Sequence, residues 1–460
     1  MIPLREQIEV ARSPAEVFRY LADFSTGEQW DPGVYRAEKM TPGAPRVGTE
    51  FALVLNSAGR RVPMRYRLVD LQPNQLIHLQ GEGQGIHAND IIRIGPGAQG
   101  GSRIDYTAEL TFSGPARYVE PALRPWLNRV GRQAVSGLAQ ALSVQPVRDP
   151  GALSRLGHRL ILPGAWQFTE RGYLAMPDKG LSEFADNRNI VITGPTSGLG
   201  LAAACLLARL GARLLLVGRG HDRLNEAVRQ IRDFSGCDAD RLWCFEADLS
   251  QPDQVRDVAH RIMVAAPVLD GLINNAGALF AERDETPQGH ERALAINLIA
   301  PWVLTEALLP ALNVAPDARV VNVASGGMYM QPLRLDDIQY RQGKYDGAKA
   351  YARAKRALVA VNEHWAAKYP HIGFHAMHPG WASTPGVERA LPSFNQRLAP
   401  WLRDARMGAD TMVWLASSAA VNGRSGEFWF DRRPRPTALL PGTAVSSQQR
   451  DQLIDWLEQR

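Results

Sequence analysis

The chain has 460 residues, 45% hydrophobic and 22% charged, with a formal net charge of +5. That is an ordinary soluble composition, without repeats or low-complexity tracts, and the length points to two or three domains. The basic excess is mostly Arg on a solvated surface, and no Arg/Lys block interleaved with aromatics marks a reader of single-stranded nucleic acid.

Cys205, Cys237 and Cys244 form no CxxC pair and stand near no His cluster, so neither a disulfide framework nor a metal site is expected. The opening MIPLREQIEV lacks a signal peptide's basic region followed by an apolar core. No uninterrupted apolar run reaches the roughly 18 residues of a membrane helix. These features point to a cytoplasmic, reducing location, with peripheral membrane contact left open.

A first block covers residues 1–145. REQIEVA reads as a strand. SPAEVFRYLADF reads as a helix with a capping box: Ser13 at the N-cap, Pro14 at the first helical position and Glu16 three residues after Ser13. Val17, Phe18, Leu21 and Phe24 give it an apolar face. Five strand candidates follow between Gly, Pro and Asn breaks: GTEFALVL, RVPMRYRLVDLQ, QLIHLQGEG, NDIIRIG and SRIDYTAELTFSG. In the last, Ile104, Tyr106, Ala108, Leu110 and Phe112 share one face. The block closes with an amphipathic helix over about 118–142, carrying Leu123, Trp126, Leu127, Val130, Val135, Leu138 and Leu142.

Strand, helix, strand meander and long helix, with the loop FSTGEQWDPGV (24–34), resemble the START-like SRPBCC superfamily of polyketide cyclases and lipid-transfer proteins. The resemblance implies an α+β helix-grip fold around an apolar cavity, hence a hydrophobic ligand. A fully packed module that only aids folding is the alternative. Residues 146–186, rich in Pro, Gly and Arg, read as a linker with short helices.

The second block, 187–460, opens with NIVITGPTSGLGLAAACLLARLGARLLLVGRG (189–220). An apolar strand, a Gly-rich turn, an Ala/Leu helix and a second buried strand place a pyrophosphate at a helix N-terminus. Gly194, Gly198 and Gly200 permit the tight turn and close backbone approach; Thr193, Thr196, Ser197 and Leu199 complete the turn.

This TGxxxGxG spacing, rather than GxGxxG, resembles the short-chain dehydrogenase/reductase family. Further motifs stand in family order. Asp248 and Leu249 lie in EADLS, and Asn275, Ala276 and Gly277 in INNAG. Asn297 lies in LAINLIAP and Ser325 in VVNVASGG. Pro379, Gly380, Ala382 and Thr384 lie in HPGWASTP. The resemblance implies a doubly wound α/β Rossmann fold, with Asp248 at the adenine and Thr384 at the nicotinamide end. An acid at the end of the second strand would select NAD by bonding the ribose 2′-hydroxyl. Here Arg219 stands in that place, with Arg223 nearby, which favours NADP(H) through forked bonds to a 2′-phosphate. The alternative is a merely solvated Arg219.

YRQGKYDGAKAYARAK (340–355) holds Tyr-x-x-x-Lys three times, and a Tyr and a Lys four apart on a helix share a face. Tyr340/Lys344 sits in a loop-like stretch and has Gly343 inside it. Tyr345/Lys349 has Gly347 inside it, which weakens helix there. Tyr351/Lys355 opens an uninterrupted run of good helix formers and is preferred, with Tyr345/Lys349 as the alternative. The long separation of Ser325 from Tyr351 resembles the retinol-dehydrogenase-like branch. The DG segment before the Tyr and the SGEFWFDRRP stretch resemble the branch that includes dehydrogenase/reductase family member 12.

The family resemblance implies a catalytic set of Asn297, Ser325, Tyr351 and Lys355. Lys355 would lower the Tyr351 pKa and hold the ribose, Ser325 would bond the substrate oxygen, and Asn297 would anchor a relay water. No metal is needed.

Met328, Tyr329, Met330, Pro332, Leu333 and Leu335, with Val387, Leu391, Pro392, Phe394, Leu398 and Trp401, give two apolar stretches suited to a lipophilic substrate, or else to core packing. The leading reading is an NADP(H)-dependent reductase whose first domain captures a lipophilic substrate. A lipid-binding or sensing protein on a weakly active scaffold is the second. A bifunctional ketoreductase and cyclase is the third, with His78, His87, Asp90, Asp105 and Glu109 as candidate acid–base groups. Family members often pair through the Tyr-bearing helix, so the resemblance also implies a homodimer.

Overall fold

The computed structural model describes residues 2–57, 60–113, 120–143, 147, 165–176, 183–390, 396 and 398–460, without side chains for 2, 3, 57, 120–127, 165, 387, 389 and 390. Leu123, Trp126 and Leu127 therefore lie outside the described side chains, as does Val387; Leu391, Pro392 and Phe394 lie outside the described residues. Two compact units result, one from residues 1–146 with 177–181, the other from residues 147–176 with 182–460.

In the first unit β1 (Ile2–Val10) leads to α1 (Pro14–Ala22) and the short α2 (Gly27–Trp30). The capping box is made: the Ser13 amide donates to Glu16 at 3.0 Å, and the Glu16 amide donates to the Ser13 hydroxyl at 3.4 Å. The sheet continues through β2 (Val34–Lys39), β3 (Glu50–Ser57), β4 (Arg60–Gln72), β5 (Leu76–Gly83), β6 (Ile86–Pro96) and β7 (Ser102–Phe112). The order is β1-β7-β6-β5-β4-β3-β2, with every pair antiparallel. One face buries Leu53, Leu68, Ile77, Leu79, Ile92 and Ile104 with Val17 and Leu21 of α1. With α3 (Glu120–Ala141) closing the unit, this is the helix-grip arrangement.

The second unit contains α4 (Glu170–Leu174), preceded by a 3₁₀ turn at Ala165–Phe168. Then come β8 (Asn189–Thr193), α5 (Gly198–Arg209), β9 (Arg213–Gly218), α6 (His221–Ser235), β10 (Leu242–Glu246), α7 (Pro252–Ala265) and β11 (Gly271–Asn274). The sheet order is β10-β9-β8-β11-β12-β13-β14-β15. It is parallel except at β15 (Arg433–Arg435), and β12 is Arg319–Val323, β13 Gly373–Met377 and β14 Glu427–Phe430. Strands β8, β9 and β12 are almost wholly buried because helices cover both faces, and apolar residues dominate them. Strand order reverses between β8 and β11, opening a crevice at their C-terminal ends, where ligands bind in such sheets.

Helix α8 (Arg292–Leu312) is the longest apolar helix among the described residues that could be weighed as a membrane span. By length and composition it could cross a membrane, but 83% of its apolar window is buried inside the unit. It packs as a core helix: the indole of Trp365 donates to Glu306 on its flank at 2.6 Å. Helix α9 (Gly347–Lys368) lies beyond β12, and α10 (Pro385–Ala390), α11 (Ala405–Ser417) and α12 (Ser447–Glu458) follow it in the chain.

Candidate active site

The turn after β8 is shaped by what a side chain would strike. Gly194 has φ +68°, a left-handed backbone that favours glycine. A Cβ on Gly200 would lie 2.1 Å from the Gly194 carbonyl oxygen and 2.4 Å from Asn275 Nδ2. Helix α5 therefore begins tight against the turn. The Asn275 side chain locks the far wall by donating to the Thr193 carbonyl at 2.9 Å, and the Asn275 and Ala276 amides both donate to Thr193 Oγ1 at 3.0 Å. Thr384 closes the other side: a Cβ on Gly198 would come 3.2 Å from it. Backbone amides at a helix N-terminus, bare of side chains, fit a dinucleotide pyrophosphate.

After β9, Arg219 and Arg223 are exposed, and a Cβ on Gly220 would lie 3.6 Å from the Arg223 guanidinium. Asp248 accepts from the Ser250 amide and hydroxyl at 2.9 Å each. Burial raises its pKa, but those bonds with the Arg219 and Arg292 charges outweigh burial and hold it below the ordinary value. Sequence reading missed Glu246, whose carboxylate caps the Gly220 amide at 3.0 Å.

Tyr351 and Lys355 both lie within α9, which starts at Gly347 with Asp346 as N-cap. Tyr345 precedes the helix, and its hydroxyl donates to Glu291 at 2.8 Å. Lys349 pairs with Asp346 at 3.6 Å on the surface. Tyr340 is buried outside the helix against the Tyr345 ring. Only the third pair meets the other candidate residues. The Ser325 side chain hydrogen-bonds Tyr351, and Lys355 Nζ donates to the Val323 carbonyl at 2.7 Å.

Asn297 sits in a π-helical turn, Ala295–Ile299, of α8; such turns recur at functional sites. Its amide donates to the Ala278 and Ala293 carbonyls, both at 2.7 Å, while its buried Oδ1 has no partner. A Cβ on Gly277 would lie 2.8 Å from that oxygen and 3.5 Å from Lys355 Nζ. An orphaned acceptor beside a buried amine, over a bare glycine, fits a cofactor and water.

The electrostatics correct one expectation. Burial pushes Tyr351 up to about 12, with only the Ser325 hydrogen bond acting against it. Burial pulls Lys355 down to about 7. The site is so desolvated that the ammonium is itself disfavoured and does not depress the tyrosine in the free protein.

Residues 188–392 match the family model described as short chain dehydrogenase, and residues 1–143 match that for polyketide cyclase / dehydrase and lipid transport. Over 303 residues the chain is 38% identical to dehydrogenase/reductase SDR family member 12 of Bos taurus, covering 64% of this chain and 94% of that relative. The chain belongs to the short-chain dehydrogenase/reductase family. It is also 29% identical over 311 residues to human retinol dehydrogenase 14, covering 63% of this chain and 89% of that relative. A solved short chain dehydrogenase from Shigella flexneri complexed with NADP shares 26% identity, covers 55% of this chain and 100% of its own, and has a TM-score of 0.44.

As a dehydrogenase/reductase of this family, the chain is an enzyme that binds a nicotinamide dinucleotide. Sequence reading missed three polar residues around its site: Glu291, which caps α8, and the pair Arg403–Asp431 under the Pro379–Gly380 turn. Glu291 stands just before an apolar helical run, a position that signals an N-cap. Nothing in the spacing of Arg403 and Asp431 signals their pairing. Of the apolar substrate candidates, Met328, Tyr329 and Leu333 are buried and Met330 and Trp401 exposed.

The acid–base candidates of the first unit separate by face. Asp90 is buried inside, accepting from the Tyr106 hydroxyl at 2.8 Å, and burial pushes it up to about 6. His78 bonds Asn89, which in turn bonds Glu109, on the alternate, outward positions. His87 lies at the surface 3.7 Å from Glu82, and Asp105 pairs there with Arg103. Among the described residues no group of three or more His, Cys, Asp or Glu could hold a metal.

Proposed function

We propose that this enzyme uses NADP(H) to interconvert a carbonyl and an alcohol on a lipophilic small molecule, with an N-terminal domain that binds a hydrophobic ligand. The observation that carries it is the convergence of Ser325, Tyr351, Lys355 and the orphaned Asn297 Oδ1 at one end of the glycine cradle. The retinol dehydrogenase among its relatives supports the lipophilic class. The match of residues 1–143 to a cyclase and lipid-transport model supports the ligand-binding role.

Thr193, Gly194, Thr196, Ser197, Gly198, Leu199 and Gly200 would hold the pyrophosphate. Asp248, Leu249 and the Asn275–Gly277 segment would flank the adenosine and ribose. Pro379, Gly380, Ala382 and Thr384 would face the nicotinamide end. When bound, the nicotinamide supplies or accepts the hydride. Tyr351, protonated throughout the neutral range, is then set to donate a proton to the developing alkoxide. Ser325 hydrogen-bonds both Tyr351 and the substrate oxygen. Lys355 and Asn297 Oδ1 hold the water that returns the proton.

Arg219→Ala tests the cofactor preference. It should weaken NADPH binding roughly 10- to 100-fold, the worth of a lost charge-assisted bond, and leave NADH binding nearly unchanged, read by fluorescence titration. An equal loss for both cofactors would contradict the 2′-phosphate contact.

Lys355 makes a separate prediction on stability. Its folded pKa is below its unfolded value, so between about 7 and 10.5 the unfolded chain binds more protons and stability rises with pH. Below about 7 the full burial cost applies. Lys355→Met should therefore stabilise the free protein at pH 6 by on the order of a few kcal/mol, read as a higher melting temperature. The gain should shrink as pH approaches 10. A melting curve that does not move with pH relative to wild type would refute the buried, depressed amine.

A further inference from the structure

The family-model match begins at residue 188, yet a segment well before it packs on the substrate end of the crevice. The carbonyl of Phe168 accepts from the Trp381 amide at 2.8 Å, and the Arg403 amide donates to the Trp381 carbonyl at 2.8 Å. The Arg403 side chain, 1% exposed, donates to the carbonyls of Gln167 and Thr169 at 2.6 and 3.2 Å. The segment is thus bonded on both sides of Phe168, and the ring has one place to go.

That place is aromatic. Phe168 stacks on Trp381 at 5.5 Å between centroids, on Phe430 at 5.2 Å, and lies against His378 at 5.1 Å. His378 and Trp381 bracket the Pro379–Gly380 turn, whose residues face the nicotinamide end in the proposed function. A Cβ on Gly326 would lie 3.8 Å from His378 Nδ1 and 3.9 Å from Phe168 Cε1. Gly326 follows Ser325. Burial and the Arg403 and Arg435 charges hold His378 far below the ordinary histidine range, so it acts as a neutral ring in this wall. Phe168 and Trp381 are each partly buried.

We infer that Phe168 is a specificity-determining residue, which with Trp381 forms an aromatic wall beside Ser325 for the chain of an elongated apolar carbonyl compound. The inference rests on the proposed catalytic set. Flat rings fixed by packing give contact area at little conformational cost, and such a wall discriminates by apolar length rather than by polar readout.

The test is NADPH consumption with decanal and with propanal, in wild type, Phe168→Ala, Phe168→Leu and Tyr351→Phe. Wild type should favour decanal. Phe168→Ala should reduce that preference in kcat/KM roughly tenfold, mainly through KM. Phe168→Leu, which keeps an apolar side chain and is the safer fold, should reduce it less. NADPH titration confirms that each variant is folded.

Equal losses for both aldehydes, or a fall in kcat alone, would mean that Phe168 only positions Ser325, and would overturn the inference. So would a wild type without chain-length preference. If wild type binds NADPH but reduces neither aldehyde, or if Tyr351→Phe retains full turnover, the proposed function fails as well. Those results are distinguishable from loss of the length preference alone.

Discussion

Tyr351→Phe should lower turnover by about 10²–10⁴-fold, the usual worth of a positioned acid or base, while NADPH binding stays nearly unchanged. The substitution removes one oxygen and keeps the ring. Burial keeps this phenol protonated to about 12, so in the free protein it is a proton donor. Its hydrogen bond to Ser325 then loses its partner, and a substrate oxygen would meet only the serine. Stopped-flow oxidation of NADPH under single-turnover conditions separates this loss from a defect in binding. Tyr345→Phe is the control. That hydroxyl serves Glu291, the N-cap of α8, and its removal should affect stability rather than chemistry. If Tyr345→Phe carried the loss of turnover and Tyr351→Phe did not, the assignment would be reversed.

Both folds were legible in the sequence for local reasons. The Ser13–Glu16 capping box, the period-two strand at 102–112 and the glycine turn after β8 are short-range signals, and local chemistry decides them. Tyr351 is preferred over Tyr345 on a local signal too, since Gly347 interrupts the earlier pair and good helix formers run on from Tyr351; the helix begins at Gly347, after Tyr345. The charge states were not legible. Whether Lys355 is an ammonium depends on desolvation by β12, α8 and the glycine at 277, which come together only in the tertiary structure. The same holds for Asp90: alternation puts it on a face, but only tertiary packing over that face buries it and raises its pKa against the Tyr106 hydrogen bond. Phe168 lay inside what reads as linker, since a Pro- and Gly-rich segment gives no sign of what it will pack against.

Asp431→Ala should destabilise the second unit by about 3–5 kcal/mol, because it leaves Arg403 buried and charged without its carboxylate. Asp431 accepts from two guanidinium nitrogens of Arg403, at 2.6 and 2.9 Å. The position is unusual in its backbone as well. Asp431 and Arg432 join β14 to β15 with Phe430 opposite Arg433, and their φ angles are +52° and +56°. A two-residue hairpin needs such left-handed residues but prefers Asn or Asp followed by Gly. Arg at the second place is strained, and a second forked pair offsets the strain: Arg432 donates to Asp410 at 2.6 and 2.8 Å. The two pairs hold one turn, so removing either carboxylate also leaves the backbone strain with less to offset it. Asp431→Asn keeps one acceptor and should lose less than Ala. Because the chain has two units, the relevant reading is the transition that NADPH shifts upward, followed by urea titration with and without cofactor. A loss of under about 1 kcal/mol would place Arg403–Asp431 with ordinary surface pairs. It would also remove the anchor that fixes the backbone on both sides of Phe168.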